Sequence, residues 1–392
     1  MAADRAYLDH NASAPLRPAA RAAMAHALTQ CGNASSVHAE GRAARAAIES
    51  ARGQLAHFLG ATPACVTFTS GATEANVLAL APTIEVGGQP RNFDVLLVSA
   101  VEHPSVRAGG RFAADRIEAI PVNVDGVVDI EALETMLATH RKAGRKALVS
   151  VMAANNETGV LQPLAGVALA VQEAGGMLHS DAVQIAGRIP FDLEASGADL
   201  ISVSSHKLGG PQGAGALIVR NDSIRVPPLL RGGAQEAGRR AGTENVAAIA
   251  GFAAAVSEAD AALAGETKRL RTLRNQAEEG VRRTAPDVVI FSGAAERLPN
   301  TVCFAAPGVA AETAIIAFDL DGVALSAGAA CSSGKVGPSE TLKAMGASPE
   351  IARGAMRLSI GWDTNENDIS RFLEVWKRVY HKLGRERRER AA

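Results

Sequence analysis

Short apolar stretches recur along the first three-quarters of this 392-residue chain, separated by longer segments whose apolar residues return with helical spacing. No other feature constrains the fold as tightly, because strand and helix in steady alternation build a mostly parallel sheet covered by helices. The apolar runs predict strands over residues 65–69, 95–100, 147–153, 177–180, 200–204 and 216–219. The segments between them predict helices over 18–29, 41–59, 74–81, 130–140 and 163–174. The expected class is α/β.

The pattern changes after about Val246. A long helix over 247–284 precedes short strands near 288–291 and at 301–305, a helix over 311–319, a strand at 356–360 and a closing helix over 367–383. This reads as a second, smaller α+β domain; with no low-complexity linker, the junction falls inside the long helix. The formal net charge of -1 gives neither nucleic acid nor a membrane surface a reason to bind, so the expected partners are small molecules and proteins. A basic run from Lys377 and Arg378 through Arg385, Arg387, Arg388 and Arg390 reads as a solvated helix end, with docking of an acidic partner as the alternative. No uncharged apolar run is long enough to span a bilayer, and Asp4 and Arg5 leave no room for a signal peptide, so the cytoplasm is the expected location. Cys31, Cys65, Cys303 and Cys331 form no C-x-x-C pair, so neither a metal site nor a disulfide framework is expected.

Three short motifs carry chemistry. In Ser204-Ser205-His206-Lys207-Leu208-Gly209-Gly210 a lysine ends an apolar strand ahead of glycines. Burial there would lower its pKa and make it a nucleophile toward an aldehyde, with Ser204 and His206 placed to donate to a phosphate. The alternative is a capping turn bearing a surface lysine. In His179-Ser180-Asp181-Ala182-Val183-Gln184 an acid follows the apolar Met177-Leu178 pair. Such a carboxylate keeps the ring nitrogen of pyridoxal 5′-phosphate (PLP) protonated, and Gln184 would reach the ring oxygen; the alternative for Asp181 is an N-cap. In Ser70-Gly71-Ala72-Thr73-Glu74-Ala75-Asn76 a strand turns into a helix through glycine, and the N–H groups at Ala72 and Thr73 with the threonine hydroxyl form an anion site. Ordinary helix caps share these letters.

In this order the motifs resemble the fold-type I PLP enzymes of the class V aminotransferase superfamily, and more narrowly the NifS/IscS group of cysteine desulfurases. Further segments carry the likeness: Leu8-Asp9-His10-Asn11-Ala12, Asn33-Ala34-Ser35-Ser36-Val37-His38, Glu102-His103-Pro104-Ser105 and Asn155-Asn156-Glu157-Thr158-Gly159. Arg231-Gly232-Gly233-Ala234-Gln235-Glu236, Gly242-Thr243-Glu244-Asn245, Ser326-Ala327-Gly328-Ala329-Ala330-Cys331-Ser332-Ser333 and Arg357-Leu358-Ser359-Ile360-Gly361 extend it over nearly the whole chain. The resemblance implies a large PLP-binding domain over 16–258 with a mostly parallel seven-stranded sheet, and a small α+β domain of 1–15 with 259–392. It implies that Lys207 holds the cofactor, Asp181 pairs with its ring nitrogen, and Ala72, Thr73, Ser204 and His206 take its phosphate. His103 would stack on the ring and act as an acid/base, Asn156 would contact cofactor and substrate, and Arg357 would grip the substrate carboxylate as a fork. Thr243 would reach the phosphate in a neighbouring subunit, which implies a homodimer.

Cys331 separates the relatives. Ala, Gly and Ser surround it, a composition that permits movement, whereas Cys65 and Cys303 lie in apolar strands and read as core, and Cys31 as incidental. The resemblance implies that Cys331, as thiolate, takes sulfur from L-cysteine, leaving L-alanine and a persulfide for a protein acceptor such as an iron–sulfur scaffold or a sulfur carrier. The spacing to Pro338 is similar to the long-loop IscS/NifS subgroup. Ala34, Ala329 and Glu340-Thr341-Leu342 depart from the common pattern at positions that bear on partner choice. Other readings use the same residues: a selenocysteine lyase or another class V PLP enzyme, or a non-catalytic scaffold in iron–sulfur assembly.

Overall fold

The computed structural model describes residues 5–328 and 339–391. Its largest sheet has seven strands: Val66–Thr69 (β1), Val95–Ser99 (β2), Ile117–Ile120 (β3), Ala147–Ser150 (β4), Met177–Asp181 (β5), Leu200–Ser204 (β6) and Gly215–Val219 (β7). They lie in the order β1-β7-β6-β5-β4-β2-β3, with β7 antiparallel to β1 and β6 and every other pair parallel. The mostly parallel sheet expected from the alternation is present. Apart from β3, every residue of these strands is buried, which is why they read as unbroken apolar runs. β3 is an edge strand with Glu118 and Ala119 exposed, and no apolar run announces it.

The boundaries differ locally from expectation for identifiable reasons. Cys65 closes a 3₁₀ turn, Pro63–Cys65, that the proline starts, so the strand begins one residue later. β4 ends at Ser150, although Val151 and Ala153 still donate to the carbonyls of His179 and Asp181. A small sheet of Thr83–Val86, Gln89–Asn92 and Ile224–Arg225 adds to the sequence reading. Its hairpin turns on Gly87 and Gly88, at φ 60° and 75°, the mirror-image turn that matches strand twist.

The helices that position the site are Pro18–Leu28 (α1), Ala39–Phe58 (α2), Ala72–Ala79 (α3) and Val246–Thr284 (α4). Asn245 caps α4 by accepting from the Ala248 N–H at 3.0 Å. This helix serves two cores. Ile249, Phe252 and Val256 pack in the core under the seven-stranded sheet, while Leu270, Leu273 and Val281 join Phe304, Phe318, Phe372 and Trp376 in the other. An 18-residue window of α4 is apolar enough by composition to cross a bilayer; in the fold its apolar side is spent on these contacts. The second core lies against an antiparallel sheet of Val289–Ile290 (β8), Thr301–Ala305 (β9), Ser326–Ala327 (β10) and Met356–Ser359 (β11), ordered β8-β9-β11-β10. Ala6–Tyr7 pairs with Val323–Ala324 in a separate two-stranded sheet, and Asp9 bridges to Ser359 on β11, so residues 6–9 run beside the smaller domain's strands before the chain crosses to the larger sheet.

Within the large sheet, fully buried His179 sets its Nδ1 2.8 Å from Ser150 Oγ and its Nε2 3.0 Å from Ser202 Oγ. Burial pushes its pKa down from 6.5 to about 3, so the folded chain holds the ring neutral while the unfolded chain protonates it near the ordinary value. The associated stability is intact above pH 6.5 and falls as the pH drops toward 3, by at most about 1.4 kcal/mol per pH unit. Denaturant unfolding at about pH 7 and about pH 5 should show this loss, and His179→Gln should lose less between the same two conditions. An equal loss in the variant would assign the pH dependence to other groups.

Candidate active site

Parallel strands end on one side of a sheet, and ligands of such sheets bind beyond those ends. Here β5 and β6 terminate beside a cavity of about 510 Å³. Lys207 follows β6 within a 3₁₀ turn, Ser205–Lys207. It lines the cavity, and its Nζ donates to the carbonyls of Asn11 at 2.6 Å and Ala12 at 2.8 Å. The surface-lysine alternative is thereby excluded. Asp181, the last residue of β5, is buried; its Oδ1 accepts from the Val183 N–H at 3.0 Å and its Oδ2 from Asn76 Nδ2 at 2.9 Å. One oxygen thus serves the local turn while the other joins the side-chain network.

The phosphate corner is built from backbone. Gly71 caps α3 without any side-chain hydrogen bond, so the first N–H groups of the helix, at Ala72 and Thr73, are left for an anion. Close approach explains Gly215, where a Cβ would stand 2.6 Å from the Gly71 carbonyl carbon. Ser204 and His206 share this wall with Ala72 and Thr73. Burial, then the charges of Lys207 and Arg188, push the His206 pKa down to about 4, so His206 offers a hydrogen bond and no charge.

Arg357, buried on β11, also lines the cavity and sets Nη2 2.7 Å from Asp9 Oδ1 and Nη1 3.0 Å from the Asn156 carbonyl. Each Nη carries a second N–H beyond these bonds, so the guanidinium keeps donors for a carboxylate, while its Nε is buried with no partner among the described residues. Gln184 is oriented by chemistry: its Oε1 accepts from Arg188 at 2.7 Å, and its Nε2 donates to the Asn11 carbonyl at 3.1 Å. His103 lines the same cavity. Burial pushes its pKa down and Asp181 pulls it up, while Lys207 and Arg107 push it down further.

Lys207, Asp181, His103, Asn156, Gln184, Ser204, His206, Ala72, Thr73 and Arg357 therefore meet at one cavity. Thr243 does not line it; it is exposed beside a smaller cavity of about 210 Å³ that shares Ser70 and Gly213 with the first. Cys331 lies outside the described residues. Sequence reasoning missed three contributors, Asp9, Asn11 and Asn76, although each stands inside a segment that carries chemistry.

Residues 6–372 match the aminotransferase class-V family. The chain belongs to that family. A cysteine desulfurase of Cereibacter sphaeroides is 38% identical over 97% of this chain and 97% of its own. An IscS-like cysteine desulfurase of Mycobacterium tuberculosis is 40% identical over 94% of this chain and 95% of its own. Among solved structures, a NifS-like protein from Rickettsia africae superposes with a TM-score of 0.86 at 34% identity, covering 96% of this chain and 99% of that one.

Class V enzymes work with PLP, and the donor set fits it: an amine for the aldehyde, a carboxylate for the ring nitrogen and an uncapped helix start for the phosphate. Gly215→Ala should push the Gly71 turn out of place and raise the PLP dissociation constant about tenfold, equivalent to ~1.4 kcal/mol, with the circular dichroism spectrum unchanged. Unchanged affinity would mean that this backbone contact does not shape the phosphate corner.

Proposed function

We propose that this chain is a PLP-dependent cysteine desulfurase that removes sulfur from L-cysteine, releases L-alanine and carries the sulfur on Cys331 as a persulfide. The observation that carries the reading is the cavity shared by Lys207, Asp181 and Arg357. An aldehyde-binding amine, a ring-nitrogen carboxylate and a carboxylate-binding guanidinium together describe a PLP enzyme for an amino acid, and relatives matched over nearly the full length are named for this one.

Arg357 binds the substrate carboxylate through guanidinium N–H groups that Asp9 and Asn156 do not use, which fixes how the amino acid sits before any bond changes. The carbonyls of Asn11 and Ala12 hold the Lys207 amine at the cavity, where it takes the proton from the substrate Cα. PLP, when bound, supplies the electron sink for the charge left on that carbon. The Cys331 thiolate then bonds to the substrate sulfur, and the C–S bond breaks with its electron pair left on the amino-acid fragment. That fragment takes up a proton and leaves as alanine, so thiol plus cysteine becomes persulfide plus alanine.

In this reading the persulfide passes in the cytoplasm to a protein acceptor, an iron–sulfur scaffold or a sulfur carrier. Thr243, exposed beside the smaller cavity, belongs to a homodimer in which each subunit reaches the phosphate corner of the other. Cys331→Ser should keep the cofactor absorbance and bind cysteine yet form no persulfide by mass spectrometry and release no alanine beyond background. Borohydride reduction of the unmutated holoenzyme should place the cofactor on the Lys207 peptide. Sustained alanine release by Cys331→Ser would remove the thiol from the mechanism, and a label on another lysine would overturn the assignment of the site.

A further inference from the structure

Asn156 lines the main cavity, whereas the residue after it turns its side chain elsewhere. Glu157 Oε2 accepts from Ser339 Oγ at 2.6 Å, and its Oε1 accepts from Thr341 Oγ1 at 3.1 Å. Ser339 caps the short helix Glu340–Ala344 by accepting from the Leu342 N–H at 3.0 Å, so the hydroxyl proton is what it gives to Glu157. Gly328 comes to the same carboxyl group: a Cβ there would stand 3.5 Å from Glu157 Oε2. The Gly328 N–H donates to the Ala355 carbonyl at 2.9 Å, which holds it in place. Cys331 falls in the sequence between Gly328 and Ser339, so the residues that flank its segment on both sides meet at one side chain.

Glu157 is itself held by the site. The peptide unit that joins it to Asn156 donates its N–H to Asn155 Oδ1 at 2.9 Å, and its carbonyl accepts from Arg357 Nη1 at 3.0 Å and Asn11 Nδ2 at 3.2 Å. Capping the short helix does not require the carboxyl group, since Ser339 caps it through a lone pair, and Leu342 docks it in an apolar cluster with Phe291, Cys303 and Met345. What the carboxyl group adds is position. We infer that Glu157 is a positioning residue for the Cys331 thiol, tying both flanks of its segment to the peptide unit that Arg357 grips. The substrate carboxylate and the nucleophile are thereby referred to one guanidinium, and reacting groups lose rate steeply when misplaced by about one ångström. The inference rests on the desulfurase reading above, because without sulfur transfer the thiol has nothing to reach.

Full-length holoenzymes test this by separating turnover from binding. Glu157→Ala should lower kcat for alanine release from cysteine about tenfold or more, while the cofactor absorbance and the dissociation constant of L-alanine read from it stay within about twofold. Glu157→Gln keeps an acceptor for Ser339 and a hydrogen-bonding group for Thr341, so its kcat should lie within about threefold of the unmutated value. Thr341→Val, which removes one bond at nearly constant shape, should lower kcat about threefold and add nothing further in the Glu157→Ala background. Hydrogen exchange over residues 339–345 should rise in Glu157→Ala while β2 keeps its rate. A Glu157→Ala kcat within about twofold of the unmutated value overturns the inference, as does a loss of L-alanine binding as large as the loss in kcat, which would mean that only the turn at Asn156 had moved. Where Glu157→Ala does not fold, an unchanged kcat in Thr341→Val overturns it equally. A chain that makes no alanine from cysteine before any substitution loses the desulfurase reading and this inference together; one that makes it and keeps its kcat in Glu157→Ala loses this inference alone.

Discussion

The pairing of β5 with β6 is the contact on which the rest of the site depends. Asp181 stands opposite Ser202 and His179 opposite Leu200. Side chains alternate across a strand, so His179 and Asp181 share a face, and a slip of one residue would carry the carboxylate to the far side of the sheet. His179 resists that slip, because its two ring nitrogens reach Ser150 on β4 and Ser202 on β6 at once only in this register. A buried histidine with no part at the cavity thus fixes the position of the acid two residues further on.

Buried charge is handled in three different ways. Arg52 meets Glu236 with both ends of its guanidinium, at 2.7 and 2.8 Å, and Glu236 also accepts from the Phe68 N–H. Glu236 and Ala237 sit in left-handed backbone, at φ 50° and 55°, each costing on the order of 1–3 kcal/mol. Removing one partner of a buried ion pair costs about 3–5 kcal/mol because the other charge is left uncompensated, so Arg52 and Glu236 depend on each other. Arg357 also has an acid, Asp9, yet keeps a donor in hand. Among the described residues Arg188 meets only neutral oxygens, those of Gln184, His10 and Lys207, and burial followed by the charge of Arg357 lowers its pKa to about 9. The three cations are told apart by what each is left holding: a full acid partner, an acid with N–H groups to spare, or neutral oxygens alone.

Lys207 and Asp181 are legible in the sequence because each is a polar residue placed where an apolar run stops, whereas His103 and Arg357 are legible only through the resemblance of their segments to the family. Their partners are not legible. Asn76 reaches Asp181 across 105 positions and Asp9 reaches Arg357 across 348, and which amide or acid meets which group is decided by strand register and packing. The strands of the large sheet follow the same logic: those buried on both faces announce themselves, while the half-exposed β3 carries no period strong enough to read. The Gly87-Gly88 hairpin is a different case, since its turn residues are a local signal for a tight connection. Thr243 shows a limit of motifs, for its segment resembles the family while its place outside the main cavity depends on the path of the strained turn before it.

Asn11 ties these pieces into one geometry. Its N–H donates to Ser359 Oγ at 2.9 Å, its Nδ2 to the Asn156 carbonyl at 3.2 Å and to Thr301 Oγ1 at 2.9 Å, and its Oδ1 accepts from Asn300 at 3.1 Å. Its carbonyl accepts from Lys207 and Gln184, so both lone pairs are used and no polar atom of this buried residue lacks a partner. Ser359, Thr301 and Asn300 belong to the smaller sheet and its approach, whereas Lys207 and Gln184 follow strands of the larger one. Each bond contributes only about 1 kcal/mol net, but an orphaned buried partner costs about 1–3 kcal/mol, so displacing one sheet relative to the other is opposed at several atoms together. The lysine amine, carried by the large sheet, is therefore positioned in part by the small one, through a residue near the start of the chain.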